Sequence, residues 1–261
     1  MKHIIVLLLI FSVVGCESED NLFNHSSKPK FFLLKNRKIE NDSYVRTNEY
    51  IYSGNKLITV NSEYINKSSN TIRSYKTKYE YINEDEYHKY YYNSDNEITS
   101  KYRYFKPNQN TIRTEKLDPL SGELKSYLLM EIGNFCGATK YYSYDNNILT
   151  EKAESSYYGS NCSNNTLIYD GIGNFTGKYQ QVKDNMKSPY ITPYMINFNK
   201  IDSENLHNRI EYTRWDENNI FWFSETSTFE YNKGGYPIFE EKIIKYNNGT
   251  TSVTTVYYDY Y

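Results

Sequence analysis

The residues able to do chemistry are sparse in this 261-residue chain, and their spacing points away from catalysis. Four histidines occur, His3, His25, His88 and His207, with no HExxH, no histidine pair and no CxxC. The spacing of a catalytic zinc site is therefore missing. No GxSxG elbow is present, and neither His88 nor His207 lies in a nucleophile motif. Gly171-Ile172-Gly173-Asn174-Phe175-Thr176-Gly177 is glycine-rich but lacks GxGxxG spacing and a following Lys-Ser/Thr. It sits among strand-like segments, so it reads as a turn rather than a phosphate loop. Glu240-Glu241 and Glu84-Asp85-Glu86 offer carboxylates of the kind a glycosidase pairs. Neighbouring strand residues face opposite ways, so Glu240 and Glu241 read as one solvated acid and one edge charge. Asp145 and Asp170, with their asparagine neighbours, lack the ordered loop of a calcium site. No catalytic residue, metal site or cofactor is assigned.

The densest cluster of bulky aromatics is Trp215, Phe221, Trp222 and Phe223. Two readings stand. Trp215 and Trp222 form a stacking platform for sugar rings or a protein partner, or they belong to a central strand packed on both faces.

The elements that would position these residues are strands. Tyrosine is the compositional outlier, with 31 copies against 12 Phe and 2 Trp. Tyr, Thr, Ile and Val suit a pleated, half-buried surface, and Tyr buries its ring while its hydroxyl stays wet. A mean hydropathy of −0.80 argues for a modest core rather than a helical bundle. Aromatics two apart, as in Tyr79-Glu80-Tyr81, Tyr102-Arg103-Tyr104 and Tyr142-Ser143-Tyr144, share one face of a strand.

Turn clusters then divide the chain into hairpins. Ser53-Gly54-Asn55 separates two alternating runs. Near the C-terminus, Lys233-Gly234-Gly235 and Asn247-Asn248-Gly249 separate three more, and Asn248-Gly249 predicts a type I′ turn. Ser188-Pro189-Tyr190-Ile191-Thr192-Pro193 cannot continue a central strand, because proline donates no ladder hydrogen bond. The expected fold is all-β: an antiparallel meander of hairpins over residues 29–261, forming a curved sheet or partial barrel. A crossover loop is expected near 183–209, with a short helix over 201–209.

The N-terminus supplies an address. Lys2 and His3 precede an apolar run over residues 4–14, which ends on Gly15-Cys16 before Glu17-Ser18-Glu19-Asp20. The run is too short to span a bilayer. It resembles a bacterial lipoprotein signal peptide with its lipobox. The resemblance implies cleavage after residue 15 and acylation of Cys16, which anchors the chain to a membrane. Ser18-Glu19-Asp20 resembles the signal that exports Bacteroidetes lipoproteins to the outer face of the outer membrane. Residues 16–28 are polar and read as a flexible tether. Loss of residues 1–15 removes Lys2 and no acid, so 30 basic side chains become 29 against 32 acidic ones. That balance makes nucleic acid a poor partner. With Cys16 lipidated, Cys136 and Cys162 remain as an even pair in an oxidising compartment. A disulfide is the natural reading, and two buried thiols are the alternative.

Ile132-Gly133-Asn134-Phe135-Cys136-Gly137 recurs as Ile172-Gly173-Asn174-Phe175-Thr176-Gly177, and Tyr169-Asp170 precedes the second copy. With Tyr144-Asp145-Asn146-Asn147 and Tyr231-Asn232-Lys233-Gly234-Gly235, these segments resemble degenerate tyrosine–aspartate (YD/RHS-type) repeats. The order Lys187-Ser188-Pro189-Tyr190, Asn218-Asn219-Ile220, Phe229-Glu230-Tyr231-Asn232 resembles Bacteroidetes lipoproteins. Neither family brings a catalytic residue. The expectation is a non-enzymatic, lipid-anchored outer-membrane lipoprotein that binds a glycan or an envelope protein. The alternative is a carbohydrate-binding accessory lipoprotein using exposed aromatics.

Overall fold

A computed structural model describes residues 32–134, 136–189 and 207–261. Cys16 and the tether over 16–28 lie outside them. The alternating segments become strands: β1 (Leu34–Glu40), β2 (Tyr44–Ser53), β3 (Lys56–Asn66), β4 (Thr71–Tyr81), β5 (Glu86–Tyr92), β6 (Ile98–Asn108), β7 (Thr111–Leu117) and β8 (Leu124–Asn134). Then come β9 (Gly137–Asp145), β10 (Ile148–Tyr158), β11 (Ser163–Asp170), β12 (Phe175–Lys187), β13 (His207–Asp216), β14 (Phe221–Tyr231), β15 (Pro237–Tyr246) and β16 (Thr251–Tyr260).

Each strand pairs antiparallel with the next, and β1 pairs with β16 through Arg37↔Tyr258 and Ile39↔Val256. The sheet is therefore a closed sixteen-strand barrel, not the curved sheet or partial barrel expected from the sequence. Closure gives both terminal strands a partner for ladder groups that an open sheet would leave unpaired. The expected crossover is also corrected. Residues 183–187 belong to β12 and 207–209 to β13, and these strands are direct neighbours through Gln181↔Tyr212. The connection joins adjacent antiparallel strands. Residues 190–206, with most of the expected helix, lie outside the described residues, among which no helix occurs. β12 ends at Lys187, just before Ser188-Pro189, as the missing proline donor requires.

Four hairpin turns share one design. In residues 93–97, 170–174, 216–220 and 232–236, the first side chain accepts backbone N–H groups two and four residues on. Asp170 Oδ1, for example, takes Ile172 N–H at 3.1 Å and Asn174 N–H at 2.8 Å. The fourth residue of each turn, Asn96, Gly173, Asn219 or Gly235, sits at positive φ. This is a three-residue loop closed by a left-handed residue. The recurrent aromatic–Asp/Asn pairs thus have a local cause: Tyr92 and Tyr231 end their strands, Tyr169 and Trp215 stand one residue before theirs end, and the next residue caps the turn. Residues 247–249 follow the same backbone pattern, with Gly249 at φ +82° and Asn248 not at positive φ. This corrects the expected type I′ turn, because a loop of three residues selects the other geometry. The two-residue turn with both φ positive is Asn146-Asn147, between β9 and β10.

Period two sorts the side chains into two walls. On β11, Asn164, Thr166 and Ile168 are buried, whereas Asn165 and Leu167 are exposed. Register carries the buried face around the barrel, from Ile168 to Ala153, Tyr141, Met130 and Ile112. It continues on the other side through Val256 opposite Glu240. The apolar core of Leu34, Tyr50, Val60, Val256 and Tyr258 lies on this inward face. The outward series is charged: Lys38 and Glu40 on β1, Lys76, Lys78 and Glu80 on β4, Lys152 and Glu154 on β10. Neighbouring outward charges pair, with Lys38–Glu40 at 2.8 Å, Arg103–Glu86 at 2.9 Å and Lys152–Glu154 at 2.6 Å.

Candidate ligand-binding wall inside the barrel

The inward face of β2–β5 has a distinct chemistry. Register places Arg46, Tyr64 and Arg73 in one lateral row across β2, β3 and β4. The next row holds Asn48, Ser62 and Tyr75, and the row beyond it Tyr50, Val60, Thr77 and Tyr91. Directly opposed residues in antiparallel strands stand about 5 Å apart, so each row sets its side chains side by side. The small Ser62 and Thr77 sit among Tyr64, Tyr75 and Tyr91 and leave a cavity of about 520 Å³ between them. Its floor is polar and ordered. Ser62 Oγ donates to Asn48 Oδ1 at 2.7 Å, and Arg46 Nε donates to the same oxygen at 3.1 Å. Tyr64 stacks on Tyr44 with ring centroids 5.2 Å apart.

This wall is also electropositive. The inward series of β1–β6 carries Arg37, Arg46, Arg73 and Lys89 and, among the described residues, no carboxylate. The cations lie over rings instead. Lys89 Nζ is 4.8 Å from the Tyr91 centroid and 5.5 Å from that of Tyr79, and Arg37 lies over Tyr258 at 5.8 Å. Burial pushes the hydroxyls of Tyr52, Tyr79 and Tyr104 well above the ordinary tyrosine range.

Past β16, on β13–β15, the inward face is compensated. Glu240 on β15 is buried, with Oε1 accepting from Ser227 Oγ at 2.9 Å and Oε2 from Tyr258 OH at 2.7 Å. Lys242 bridges Glu240 and Glu225 at 3.4 and 3.3 Å, and Arg209 reaches Glu225 at 2.5 Å. Arg209, Glu225, Glu240, Lys242 and Tyr258 line a smaller cavity of about 230 Å³ with His207 and Phe229. The sequence reading of Glu240 as a solvated or edge acid is corrected. Glu241 is the exposed member of the pair, and Glu240 is the keystone of an interior network.

Two comparisons with solved structures show the fold. A porin-like protein from Bacteroides uniformis superposes with a TM-score of 0.56 at 10% identity, over 87% of this chain and 96% of that one. A porin-like protein from Bacteroides vulgatus superposes with a TM-score of 0.51 at 8% identity, over 88% and 99%. No protein-family model and no curated protein matches the sequence. The likeness is one of fold.

The remaining sequence candidates fall elsewhere. Trp215 and Trp222 come together in a rim cleft of about 270 Å³ at the β13–β14 turn, with Arg214 and Phe221. Trp222 is 48% exposed, with the Arg214 guanidinium 4.6 Å from its ring, and Lys178 lies 5.3 Å over Trp215. The alternative of a strand packed on both faces is therefore ruled out at Trp222. His88 stands on the outer wall, 3.2 Å from Glu86 and within reach of Tyr90, and lines neither inner cavity. No cluster of three metal-ligating side chains occurs among the described residues. Cys136 and Cys162 form the disulfide, with Cα atoms 5.3 Å apart. It ties the β8–β9 turn to the β10–β11 turn at one end of the barrel.

Arg46 and Arg73 escaped the sequence reading, although the signal was present. Tyr44, Arg46, Asn48, Tyr50 and then Arg73, Tyr75, Thr77, Tyr79 are period-two series of cations and rings. Only the β2–β3–β4 register shows that both series face the same space.

Proposed function

We propose that the chain is a lipid-tethered binding module of the outer membrane, whose barrel stands in water and holds its ligand within the wall. The observation that carries this reading is the charge along the outer wall. A transmembrane barrel presents an apolar band to lipid, where a Lys or Arg costs about 2–4 kcal/mol at the midplane. Here Lys76 and Lys78 point outward along the middle of β4, Lys152 and Glu154 along the middle of β10, and Lys38 on β1. Rings stand on both walls, Tyr142, Tyr169 and Tyr257 among the outward ones, whereas Arg46 and Arg73 point inward. A wall of this kind needs a separate anchor, and the lipobox ending at Cys16 supplies one. The module is non-enzymatic on this reading, since Glu240 is held by Ser227, Tyr258 and Lys242 and Glu225 by Arg209 and Lys242.

The test is Cys16→Ala with the signal cleaved conventionally. The variant is expected in the aqueous fraction without detergent and without fatty-acid label, while the wild-type chain fractionates with membranes. A variant that stays in the membrane pellet and needs detergent for extraction would show that the outer wall meets lipid.

A second reading is favoured by one observation. The exposed Trp222 beside Trp215 offers a rim platform for a sugar ring. Loss of glycan retention in Trp222→Ala with the melting temperature kept supports it, and unchanged retention removes it.

A further inference from the structure

We infer that the Arg46–Tyr64–Arg73 row is a binding site for a carboxylated sugar. The inference rests on the binding-module reading and concerns which ligand chemistry the β2–β5 wall accepts. Three features of the cavity define that chemistry.

The first is charge. Arg46 and Arg73 flank Tyr64 on adjacent strands, two strand spacings or about 10 Å apart at their Cβ atoms. Neither has an acidic partner within 4 Å among the described residues. Elsewhere on the same molecule arginines meet carboxylates, as Arg103 does Glu86 and Arg209 does Glu225. Two guanidinium groups facing one cavity repel each other until an anion lies between them. Their planar forks match a carboxylate in two parallel hydrogen bonds.

The second is shape. Tyr75 stands beside Ser62 across β3–β4 and Tyr91 beside Thr77 across β4–β5, so each ring borders a gap next to a small side chain. Rings spaced in this way accept a flat-faced guest by contact with its C–H face. A volume of about 520 Å³ is within the range of small-molecule sites, roughly 300–1,000 Å³.

The third is the polar complement. Ser62, Thr71, Thr77, Thr99 and Asn66 line the same cavity and supply hydroxyl and amide groups for a ligand with many hydroxyls. A purely aromatic acid would leave these groups unmatched, and a neutral sugar would leave the arginines unmatched. A uronic-acid sugar satisfies both.

The test uses the full acylated chain in detergent micelles, titrated by calorimetry with digalacturonate and with the same disaccharide methyl-esterified at both carboxyls. The acid is expected to bind at least ten-fold more tightly than the ester, since the ester keeps the rings and hydroxyls but not the charge. Arg73→Gln and Arg46→Gln are each expected to weaken binding of the acid ten-fold or more, the loss of one charge-assisted hydrogen bond. Arg73 is exposed to the cavity solvent, so Arg73→Gln keeps the fold, with an unchanged melting temperature as the control. Equal affinity for acid and ester, full affinity in both variants, or no heat with digalacturonate each overturns the site. Binding of the ester that Trp222→Ala abolishes would leave the barrel a glycan-binding module, with its site at the rim instead.

Discussion

Tyr258 donates a 2.7 Å hydrogen bond to Glu240 Oε2 inside the barrel, joining β16 to β15 at a point where both side chains are buried. Ser227 and Lys242 hold the other oxygen. Removing one member of a buried charged network leaves its partners unsatisfied, at a cost of about 3 kcal/mol. Glu240→Ala should therefore lower the urea midpoint strongly, and Glu240→Gln, which keeps an acceptor for Tyr258, should lower it less. Equal midpoints for Glu240→Ala and the wild type would show that the network adds nothing.

The inward tyrosines make stability fall at high pH. Burial raises the folded-state pKa of Tyr52, Tyr79 and Tyr104 above the unfolded value of about 10. A group whose folded pKa is raised contributes stability that is complete below its unfolded pKa and is lost as pH climbs above it. Stability should hold to about pH 10 and decline beyond. Absorbance at 295 nm should show exposed tyrosines ionising first and the inward ones ionising together with unfolding. A single smooth titration of all 31 tyrosines near pH 10 would contradict this.

The disulfide links residues 26 apart in sequence. On the chain-entropy account, closing such a loop stabilises by about 3 kcal/mol. Cys136→Ala/Cys162→Ala should melt roughly 6–12 °C below the oxidised wild type, using about 2–4 °C per kcal/mol for a domain of this size. Calorimetry under reducing conditions should bring the wild type down to the variant. A wild type whose melting is insensitive to reductant would count against the bond as a stabilising link.

Trp222 at the rim and Glu240 in the interior predict opposite responses to truncation. Trp222→Ala should keep the fold within about 1 kcal/mol, since a half-exposed side chain loses little burial. Only two tryptophans contribute fluorescence, so the variant's remaining emission reports Trp215 alone. Quenching by iodide should fall when Trp222 is removed. Unfolding of Trp222→Ala would place that ring in the core.

Local chemistry made most of the elements legible. The Ser53-Gly54-Asn55 hairpin, the three C-terminal strands and the stop at Ser188-Pro189 follow from alternation, turn residues and the missing proline donor. The Asn248-Gly249 turn was misjudged because dipeptide preference is weaker than loop length: three residues span Tyr246 to Thr250, and Gly249 alone takes positive φ. The expected crossover differs from the observed connection because Ser188-Pro189 marks where β12 stops, not where β13 pairs.

Residue order alone makes the chain an antiparallel all-β meander, with cations and rings alternating along its strands and Cys136 and Cys162 left to pair. These properties are local, set by side-chain period and backbone dihedrals. It takes the folded barrel to bring β1 to β16, to bury Glu240 while Glu241 stays wet, and to turn Arg46 and Arg73 toward one cavity. Those outcomes depend on register and closure, which bring together residues as distant as Arg37 and Tyr258. A period-two pattern says that two faces exist, and only a closed ring of strands says which one is inside.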